Sequence, residues 1–195
     1  DGTTTQHTDI VAAFTAAQEA ASATVKLLKN VTIPQNADSH SYGIRLKSGD
    51  ITLDLNGCTI QTTGGESGFV PLYAVFYIEN GSSLTVQDSG NDGKIVQPNA
   101  GQAIGVSSGN LTVKSGIIEV TSDSADADNA TTTQNCAVFV RGNGVADIQG
   151  GTLIGNRGIY VGGEWGGGTL TVSGGTIHGK NSYALWVVGG SAAFS

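Results

Sequence analysis

The sequence predicts an all-β parallel solenoid with a short α-helix at its N-terminal end, and three observations lead to this prediction. The 195 residues include 30 Gly. Charged residues make up 13% of the chain, against about 25% in an average globular domain. A short apolar phrase also recurs along the chain, with glycine-rich turns between its copies. Recurrent short apolar runs with glycine corners and few charges are typical of stacked β-coils.

One segment near the N-terminus has the pattern of a helix. The stretch Asp9–Ala21 is rich in alanine, a strong helix former. Its apolar residues fall at helical spacing, namely Ile10, Phe14 and Ala17. Thr8 or Asp9 is the expected N-cap. Two short β-type runs follow, so we divide the domain into an N-terminal segment, residues 1–34, and the β-coils of residues 35–195.

Each copy of the recurrent phrase contains two apolar-x-apolar runs and a third apolar segment. The first runs are Ile44–Leu46, Phe76–Ile78, Ile104–Val106, Val138–Val140, Ile159–Val161 and Leu185–Val187. The second runs are Leu53–Leu55, Leu84–Val86, Leu111–Val113, Ala146–Ile148 and Leu170–Val172. Successive second runs begin 24 to 35 residues apart. The shortest period fits one coil of three short strands with glycine at the corners, so we expect surplus residues to form loops there.

Four segments supply that surplus length and are predicted to leave the coils as loops. They are rich in Gly, Ser, Asp or Thr and span Thr62–Leu72, Asp88–Gly93, Thr121–Asn135 and Gly162–Gly168. An antiparallel sandwich is the alternative architecture, because it is also built of short strands with frequent turns. A sandwich gives no reason for the same phrase to recur, so we favour the solenoid.

The same residues carry a family resemblance. The helix followed by Thr24–Ile33 and Ile51–Ile60 resembles the opening of right-handed parallel β-helix domains of the pectate-lyase-like class. The later Gly-x-Leu-Thr-Val-x-Gly-Gly-x-Ile phrasing is similar to the β-helix repeats of large secreted or wall-anchored bacterial surface proteins. The resemblance covers residues 9–195 and implies a right-handed β-helix whose leading helix caps the first coil. It implies no single activity, because lyases, hydrolases, phage tailspikes and catalytically silent adhesins share the class.

Charge and hydropathy argue against two kinds of partner. The net charge is −7, the pI is about 4.7, and nine Lys plus Arg leave no basic surface for nucleic acid. No apolar run approaches the roughly 18 to 20 residues that a membrane span needs. Cys58 and Cys136 fit either one bridge or two free thiols. The chain has no Met and begins at Asp1, so we expect it to be a segment of a longer protein.

The leading candidate site is a column of aromatic residues on the first runs. Equivalent residues of successive coils stack about 4.8 Å apart, so the middle residues of these runs form one outward column. From the first coil to the last, the column reads Arg45, Tyr77, Gly105, Phe139, Tyr160 and Trp186. Four of the six are aromatic in a chain that is 6% aromatic overall.

Two interpretations of this column stay open. Exposed rings along a flat sheet can stack on the apolar faces of sugar rings, with Gly105 leaving a notch in the strip. The residues that would bind a glycan or another ligand are then Tyr77, Phe139, Tyr160, Trp165 and Trp186, with Trp165 reaching the same face from its loop. Alternatively, the rings pack on one another across neighbouring strands, or lie under a loop, and bind nothing.

The remaining columns do not predict a catalytic residue. The second-run column is expected to read Asp54, Thr85, Thr112, Asp147 and Thr171. Its two carboxylates are then about 14 Å apart, beyond the roughly 5 to 9.5 Å of paired glycosidase carboxylates. On the third segments, Glu119 and His178 are separated by about 10 Å, too far for a direct proton relay. We therefore expect His178 to be a surface histidine.

Calcium is the one metal for which the sequence offers candidate ligands. Asp123, Asp126 and Asp128 lie in one loop and present the oxygen ligands that Ca²⁺ prefers. The loop lacks the Gly and the closing Glu of an EF-hand, and such runs are usually solvated. Asp88–Gly93 is a second candidate. We otherwise expect no cofactor, and Gly162–Gly168 connects two strands rather than opening a helix, as a phosphate-binding loop would.

These observations favour a noncatalytic extracellular module of a bacterial secreted or cell-surface protein, which adheres to a glycan or to a host or cell-surface protein. A polysaccharide lyase or glycosidase on the β-helix scaffold is one alternative, although we find neither the Asp cluster of the lyases nor the paired Asp, His and Arg-Lys set of the hydrolases. A purely structural stalk is the other. Ser191–Ser195 stops partway through a coil, so we expect further chain or a partner to cover this end.

Overall fold

The structure is a computed structural model that describes residues 4–34, 42–63, 74–122, 135–163 and 166–195. Its described part contains one helix and nineteen short strands, and the chain passes from one sheet to the next at every strand. Each strand therefore pairs with the strand three places later, and every pairing is parallel. This is the predicted parallel β-helix solenoid, and it excludes the antiparallel sandwich.

The three sheets are numbered in chain order. Sheet 1 contains β1 (Ser22–Lys26), β4 (Asp50–Asp54), β7 (Ser83–Gln87), β10 (Asn110–Val113), β13 (Gly142–Ile148), β16 (Gly167–Val172) and β19 (Ser191–Phe194). Sheet 2 contains β2 (Val31–Ile33), β5 (Thr59–Thr62), β8 (Lys94–Gln97), β11 (Ile117–Val120), β14 (Thr152–Gly155) and β17 (Thr176–Gly179). Sheet 3 contains β3 (Tyr42–Leu46), β6 (Ala74–Ile78), β9 (Gln102–Val106), β12 (Cys136–Val140), β15 (Arg157–Gly162) and β18 (Leu185–Val188).

The helix α1 (Ile10–Glu19) packs against the first coils through β1, β3 and β4. Asp9 is its N-cap, and Asp9 Oδ1 accepts a hydrogen bond of 2.7 Å from the backbone N–H of Ala12, which satisfies one of the unpaired donors of the first turn. Phe14 is buried and its ring centroid lies 5.3 Å from that of Phe76. No helix in the described ranges is both long and apolar enough to cross a membrane.

The inward residues of the three sheets form one continuous apolar core. In sheet 1 the core is a ladder in which each apolar side chain lies in register with its neighbours one coil away, and its central members are Leu84, Leu111, Ala146 and Leu170. All four are at most 1% exposed. Burial of this apolar surface is the main favourable contribution to folding.

The register of one coil in sheet 1 differs from the prediction by two residues. Thr52 pairs with Thr85, so Thr52 occupies the outward column that Asp54 was expected to join. Asp54 instead pairs with Lys26 and Gln87. A shift of two residues leaves the inward and outward faces of a strand unchanged, so the apolar pattern alone does not reveal it.

Replacement of Leu111 by Ala tests the stacked core. Leu111 lies between Leu84 and Ala146 in register, so Leu111→Ala leaves a cavity and should lower the free energy of unfolding by about 2 to 5 kcal/mol. Thr112 is the next residue and faces outward, so Thr112→Ala should change it by less than about 0.5 kcal/mol. Urea unfolding followed by circular dichroism measures both, and equal losses would contradict this register.

Candidate functional site

The outer face of sheet 3 carries the aromatic column that the sequence predicts. Strand pairing places its members in register from coil to coil in the expected order, Arg45, Tyr77, Gly105, Phe139, Tyr160 and Trp186. Phe139 and Tyr160 form a cluster with Cys136, separate from the core between the sheets, and Trp186 packs against it. The column therefore lies outside the solenoid's interior.

The column is not the exposed strip that glycan stacking along its whole length requires. Tyr77 and Tyr160 are each 4% exposed and Phe139 is 1% exposed, whereas Trp186 is partly exposed. The interpretation in which the rings are exposed is therefore wrong for Tyr77, Phe139 and Tyr160, and the structure supports the alternative, in which rings on neighbouring strands pack on one another. Trp165 lies outside the described residues, so its place beside the column stays a prediction, as do the binding roles of the column residues.

Ring stacking explains a large part of this burial. The Phe139 and Tyr160 centroids are 5.0 Å apart with an interplanar angle of 23°. The Tyr160 and Trp186 centroids are 5.1 Å apart with an angle of 24°. Adjacent strands are about 4.8 Å apart, so rings in register meet face to face. The face of an aromatic ring that a sugar would cover is thus occupied by the neighbouring ring.

The Gly105 position is filled rather than open. A Cβ atom at Gly105 would lie 2.8 Å from Cδ2 of Tyr77, because the Tyr77 ring leans over this glycine. Nη2 of Arg141 donates a hydrogen bond to the Tyr77 hydroxyl. The Arg141 guanidinium carbon also lies 5.7 Å from the Tyr77 centroid and 5.6 Å from the Phe139 centroid. Arg141 therefore bridges Tyr77 and Phe139 at the position where the exposed-strip interpretation placed a notch.

A second outward column, which the sequence analysis missed, lies three residues before the first. It contains Tyr42, Ala74, Gln102, Cys136 and Arg157, in register through strand pairing, and Tyr183 continues it three residues before Trp186. Two consecutive residues between the columns face the core in each central strand, such as Ala137 and Val138. This local departure from strict alternation hides the column from a pattern of period two. The sequence signal of this arrangement is the pair of consecutive small or apolar residues directly before each member of the first column, as in Ala103-Ile104 and Ala137-Val138.

Arg157 joins the two columns at the last described coils. Its guanidinium carbon lies 4.0 Å from the Trp186 ring centroid and 5.8 Å from that of Tyr160, within the range of cation–π attraction. Arg157 itself is 3% exposed. The Tyr183 centroid is 6.0 Å from that of Trp186, and Tyr183 is 64% exposed. Tyr183 and Trp186 are thus the accessible rings of this cluster.

Both cysteines are free thiols, which decides between the two alternatives left by the sequence. Cys136 is completely buried on the outer side of sheet 3. Burial raises the pKa of its thiol, an effect that the nearby Arg157 only partly offsets. A thiol in this environment stays protonated and is a poor nucleophile. Cys58 is partly exposed, and its Sγ contacts the backbone carbonyl of Asn56 at 3.6 Å.

The Asp88–Gly93 candidate for calcium is a hydrogen-bonded corner. Oδ1 of Asp88 accepts from the N–H of Gly57 at 2.7 Å and of Gly90 at 3.2 Å, and Oδ2 accepts from that of Gly93 at 2.8 Å. These bonds use the oxygens that a hard cation would need. No cluster of three His, Cys, Asp or Glu residues suited to a metal occurs among the described residues. Asp123, Asp126 and Asp128 lie outside them.

Asp54 is engaged in the same corner. Its Oδ1 accepts from the N–H of Ser89 at 2.9 Å and of Asn56 at 3.1 Å, and its Oδ2 accepts from Ser89 Oγ at 2.8 Å. The Lys26 ammonium lies 3.4 Å from Oδ2. Burial acts to raise the pKa of Asp54, but these hydrogen bonds and Lys26 outweigh it and lower the pKa. The carboxylate is thus held in its charged form as a bond acceptor between coils.

The other acidic candidates also have local partners. Oε1 of Glu119 lies 3.4 Å from the Lys180 ammonium, which donates to the Val120 carbonyl as well. Glu119 and His178 both pair with Ile154 from opposite sides, so they are two coils apart as predicted. Asp147 Oδ2 accepts from Gln149 Nε2 at 2.7 Å.

Comparison with protein-family models, with curated proteins and with solved structures finds no match to this chain. Its function is therefore inferred from the geometry of the site.

Substitution of Gly105 tests whether the aromatic layer is packed at its centre. Because a Cβ there meets the Tyr77 ring, Gly105→Ala should displace that ring, lower the free energy of unfolding by about 1 to 3 kcal/mol and change the near-ultraviolet circular dichroism of tyrosine. Ser107→Ala, at the bend directly after the same strand, is the control. An unchanged spectrum and stability in Gly105→Ala would show that Tyr77 is free to move.

The lowered pKa of Asp54 predicts a loss of stability in acid. A carboxyl whose pKa is lower in the folded than in the unfolded chain stabilises the fold above its unfolded pKa of about 3.9, and this stabilisation is lost as the pH falls through its folded pKa. Asp54→Asn should therefore be less stable than the wild type at pH 7 by about 1 to 2 kcal/mol, and the difference should shrink towards pH 2.

Urea unfolding across this pH range measures the Asp54 effect. Asp50→Asn is the matched control, because Asp50 is on the same strand but exposed. A difference between Asp54→Asn and the wild type that persists at pH 2 would refute the electrostatic explanation.

Proposed function

We propose that this chain is a noncatalytic, extracellular β-helix module of a bacterial secreted or cell-surface protein, and that it binds glycans through the outer face of sheet 3. The observation that carries this proposal is the Tyr183 ring, which is 64% exposed and packs beside Trp186 on the outer side of sheet 3. Arg157 fixes the Trp186 ring from one side at 4.0 Å, so the indole is held in place before a ligand arrives. Binding to a fixed ring costs less conformational entropy than binding to a mobile one.

The chemistry of these two side chains suits a sugar. An aromatic ring offers an apolar surface to the C–H groups of a pyranose, and the Tyr hydroxyl and Trp N–H offer hydrogen bonds to its hydroxyl groups. Trp and Tyr are also the residues that most often dominate binding energy at protein interfaces. The resemblance to bacterial surface-protein repeats supports the same cellular setting, outside the cell and within a larger adhesive protein.

The carboxylate geometry supports binding rather than catalysis. Asp54 and Asp88 accept backbone hydrogen bonds at a corner of the solenoid. Glu119 pairs with Lys180, and Asp147 accepts from Gln149. A glycosidase or lyase instead needs a carboxylate or a basic group presented to substrate with a tuned pKa, and no contact among the described residues favours that alternative.

A structural stalk is the second candidate, and the stacked rings favour it. Phe139, Tyr160 and Trp186 cover one another's faces, and such contacts stiffen the solenoid whether or not a ligand binds. The stalk differs from the proposed module in one measurable respect, which is glycan binding through Tyr183 and Trp186.

A glycan array probed with the wild type and Tyr183→Ala separates these candidates. We expect the wild type to bind a subset of glycans and Tyr183→Ala to lose at least tenfold in affinity. Phe194→Ala is the matched control, because Phe194 is 67% exposed in the same coil but lies on sheet 1. If the wild type binds no glycan on the array, the structural stalk is the supported function. Equal losses of affinity in Tyr183→Ala and Phe194→Ala would show that glycans do not bind through Tyr183.

A further inference from the structure

A cleft of about 360 Å³ lies between helix α1 and the first strand of sheet 3. Val11, Thr15 and Gln18 line it from the helix, and Tyr42, Arg45 and Lys47 line it from β3. Its volume is near the lower end of the roughly 300 to 1,000 Å³ of ligand pockets. A single ring fits a cleft of this size better than an extended chain.

The Tyr42 ring is a fixed wall of this cleft. It stacks on the Tyr77 ring with centroids 3.9 Å apart and an interplanar angle of 9°. The Arg45 guanidinium carbon is 5.9 Å from each of the two ring centroids and is itself held by Glu79, at 2.6 Å from Nε to Oε1 and 2.9 Å from Nη2 to Oε2. These contacts orient Tyr42 without a ligand.

Tyr42 differs from the rings at the centre of the column. Tyr160 has a neighbouring ring on both sides, Phe139 and Trp186. Tyr42 belongs to β3, an edge strand of sheet 3, and among the described residues its stacking partner is Tyr77, on the β6 side. Tyr42 also lines the cleft, together with residues of α1. An aromatic surface is therefore available inside a concave site.

The charge of the cleft selects for an anion. Arg45 and Lys47 line it, and no Asp or Glu does so among the described residues. Arg45 is already paired with Glu79. Lys47 is exposed, and within the described ranges its ammonium makes no ion pair or hydrogen bond. In a chain of net charge −7, an exposed cation and a fixed aromatic ring thus line the same cleft.

We propose that this cleft binds one sugar ring that carries a carboxylate. Tyr42 contacts the apolar face of the sugar, and the Lys47 ammonium pairs with its carboxylate. Thr15 Oγ1 already donates to the Val11 carbonyl and Gln18 Oε1 already accepts from the Lys47 N–H, so the sugar hydroxyl groups donate to Thr15 Oγ1 and accept from Gln18 Nε2. This assignment rests on the proposed function, because it adds a ligand class and a second contact point to a glycan-binding module. The two contact points lie at opposite ends of the outer face of sheet 3, so each is tested separately.

Titration of the intact chain with free monosaccharides, followed by NMR chemical shifts, tests the cleft. N-acetylneuraminic acid and glucuronic acid are the acidic probes, galactose is the neutral ring, and acetate is the carboxylate without a ring. We expect at least one acidic sugar to shift the resonances of Tyr42 and α1. Galactose and acetate should each bind at least fivefold more weakly. Comparison of the two acidic probes identifies which class of acidic sugar fits.

Three variants connect that binding to the cleft. Lys47→Gln should weaken the acidic sugar about fivefold, the size of an exposed ion pair, and the wild type should lose a similar factor at high salt. Thr15→Trp should abolish binding by filling the cleft. Lys114→Gln, which removes an exposed cation directly after β10 of sheet 1, should leave the affinity unchanged.

The outcomes distinguish this inference from the proposed function. No binding of either acidic sugar, equal binding of galactose or acetate, or an unchanged affinity in Lys47→Gln overturns the cleft assignment. If the array signal through Tyr183 survives any of these results, the glycan-binding function stands without the cleft. If the acidic sugar binds in the cleft while the array signal does not depend on Tyr183, the cleft assignment is supported and glycan binding through Tyr183 and Trp186 is refuted.

Discussion

The parallel, in-register pairing of successive coils is the constraint on which the rest of this structure depends. Strands that stack about 4.8 Å apart convert each sequence position into a vertical row of side chains. Inside the solenoid these rows are apolar, as with Leu84, Leu111 and Leu170. A polar residue in such a row would be buried between two apolar neighbours without a partner, at a cost of about 1 to 3 kcal/mol. The apolar pattern therefore recurs in every coil, because each inward side chain contacts the inward side chains of the coils on either side.

The same spacing acts on the outer face of sheet 3. Aromatic rings in register are separated by about one stacking distance, so a row of them tends to cover its own faces. Phe139 and Tyr160 are buried in this way although they lie outside the core. An aromatic column on a β-helix is therefore poor evidence of a continuous binding strip. Ring surface remains available where the row is interrupted or bordered by another element, as at Tyr42 beside α1.

The sequence was sufficient for the solenoid, the capping helix and the order of the aromatic column, because each of these follows from periodicity. The sequence was insufficient for features that the alternation of apolar and polar residues does not determine, namely the exact strand register and the contacts between side chains of different coils. The two-residue shift that places Thr52 instead of Asp54 opposite Thr85 preserves the alternation of inward and outward residues, so the apolar pattern is the same in either register. The roles of Arg141 and Arg157 were also missed, because the contact of a guanidinium with rings on other coils depends on tertiary distances. The sequence likewise left open whether the column is exposed, because the side chains of neighbouring coils determine the exposure of each ring.

The acidic groups show how the chain uses charge. Asp54 and Asp88 accept backbone hydrogen bonds that span adjacent coils, at a corner where Asn56 and Gly57 both have positive φ, 49° and 74°. Donors fixed by the corner stabilise the charged form of Asp54 and lower its pKa, the opposite of the raised pKa that a general acid needs. Carboxylates that accept these backbone hydrogen bonds stabilise the corners of the solenoid. We therefore base the functional proposals on the side chains of sheet 3. The cations follow a related division, since Arg45 and Arg157 contact aromatic rings whereas Lys47 is exposed at the cleft that Tyr42 also lines.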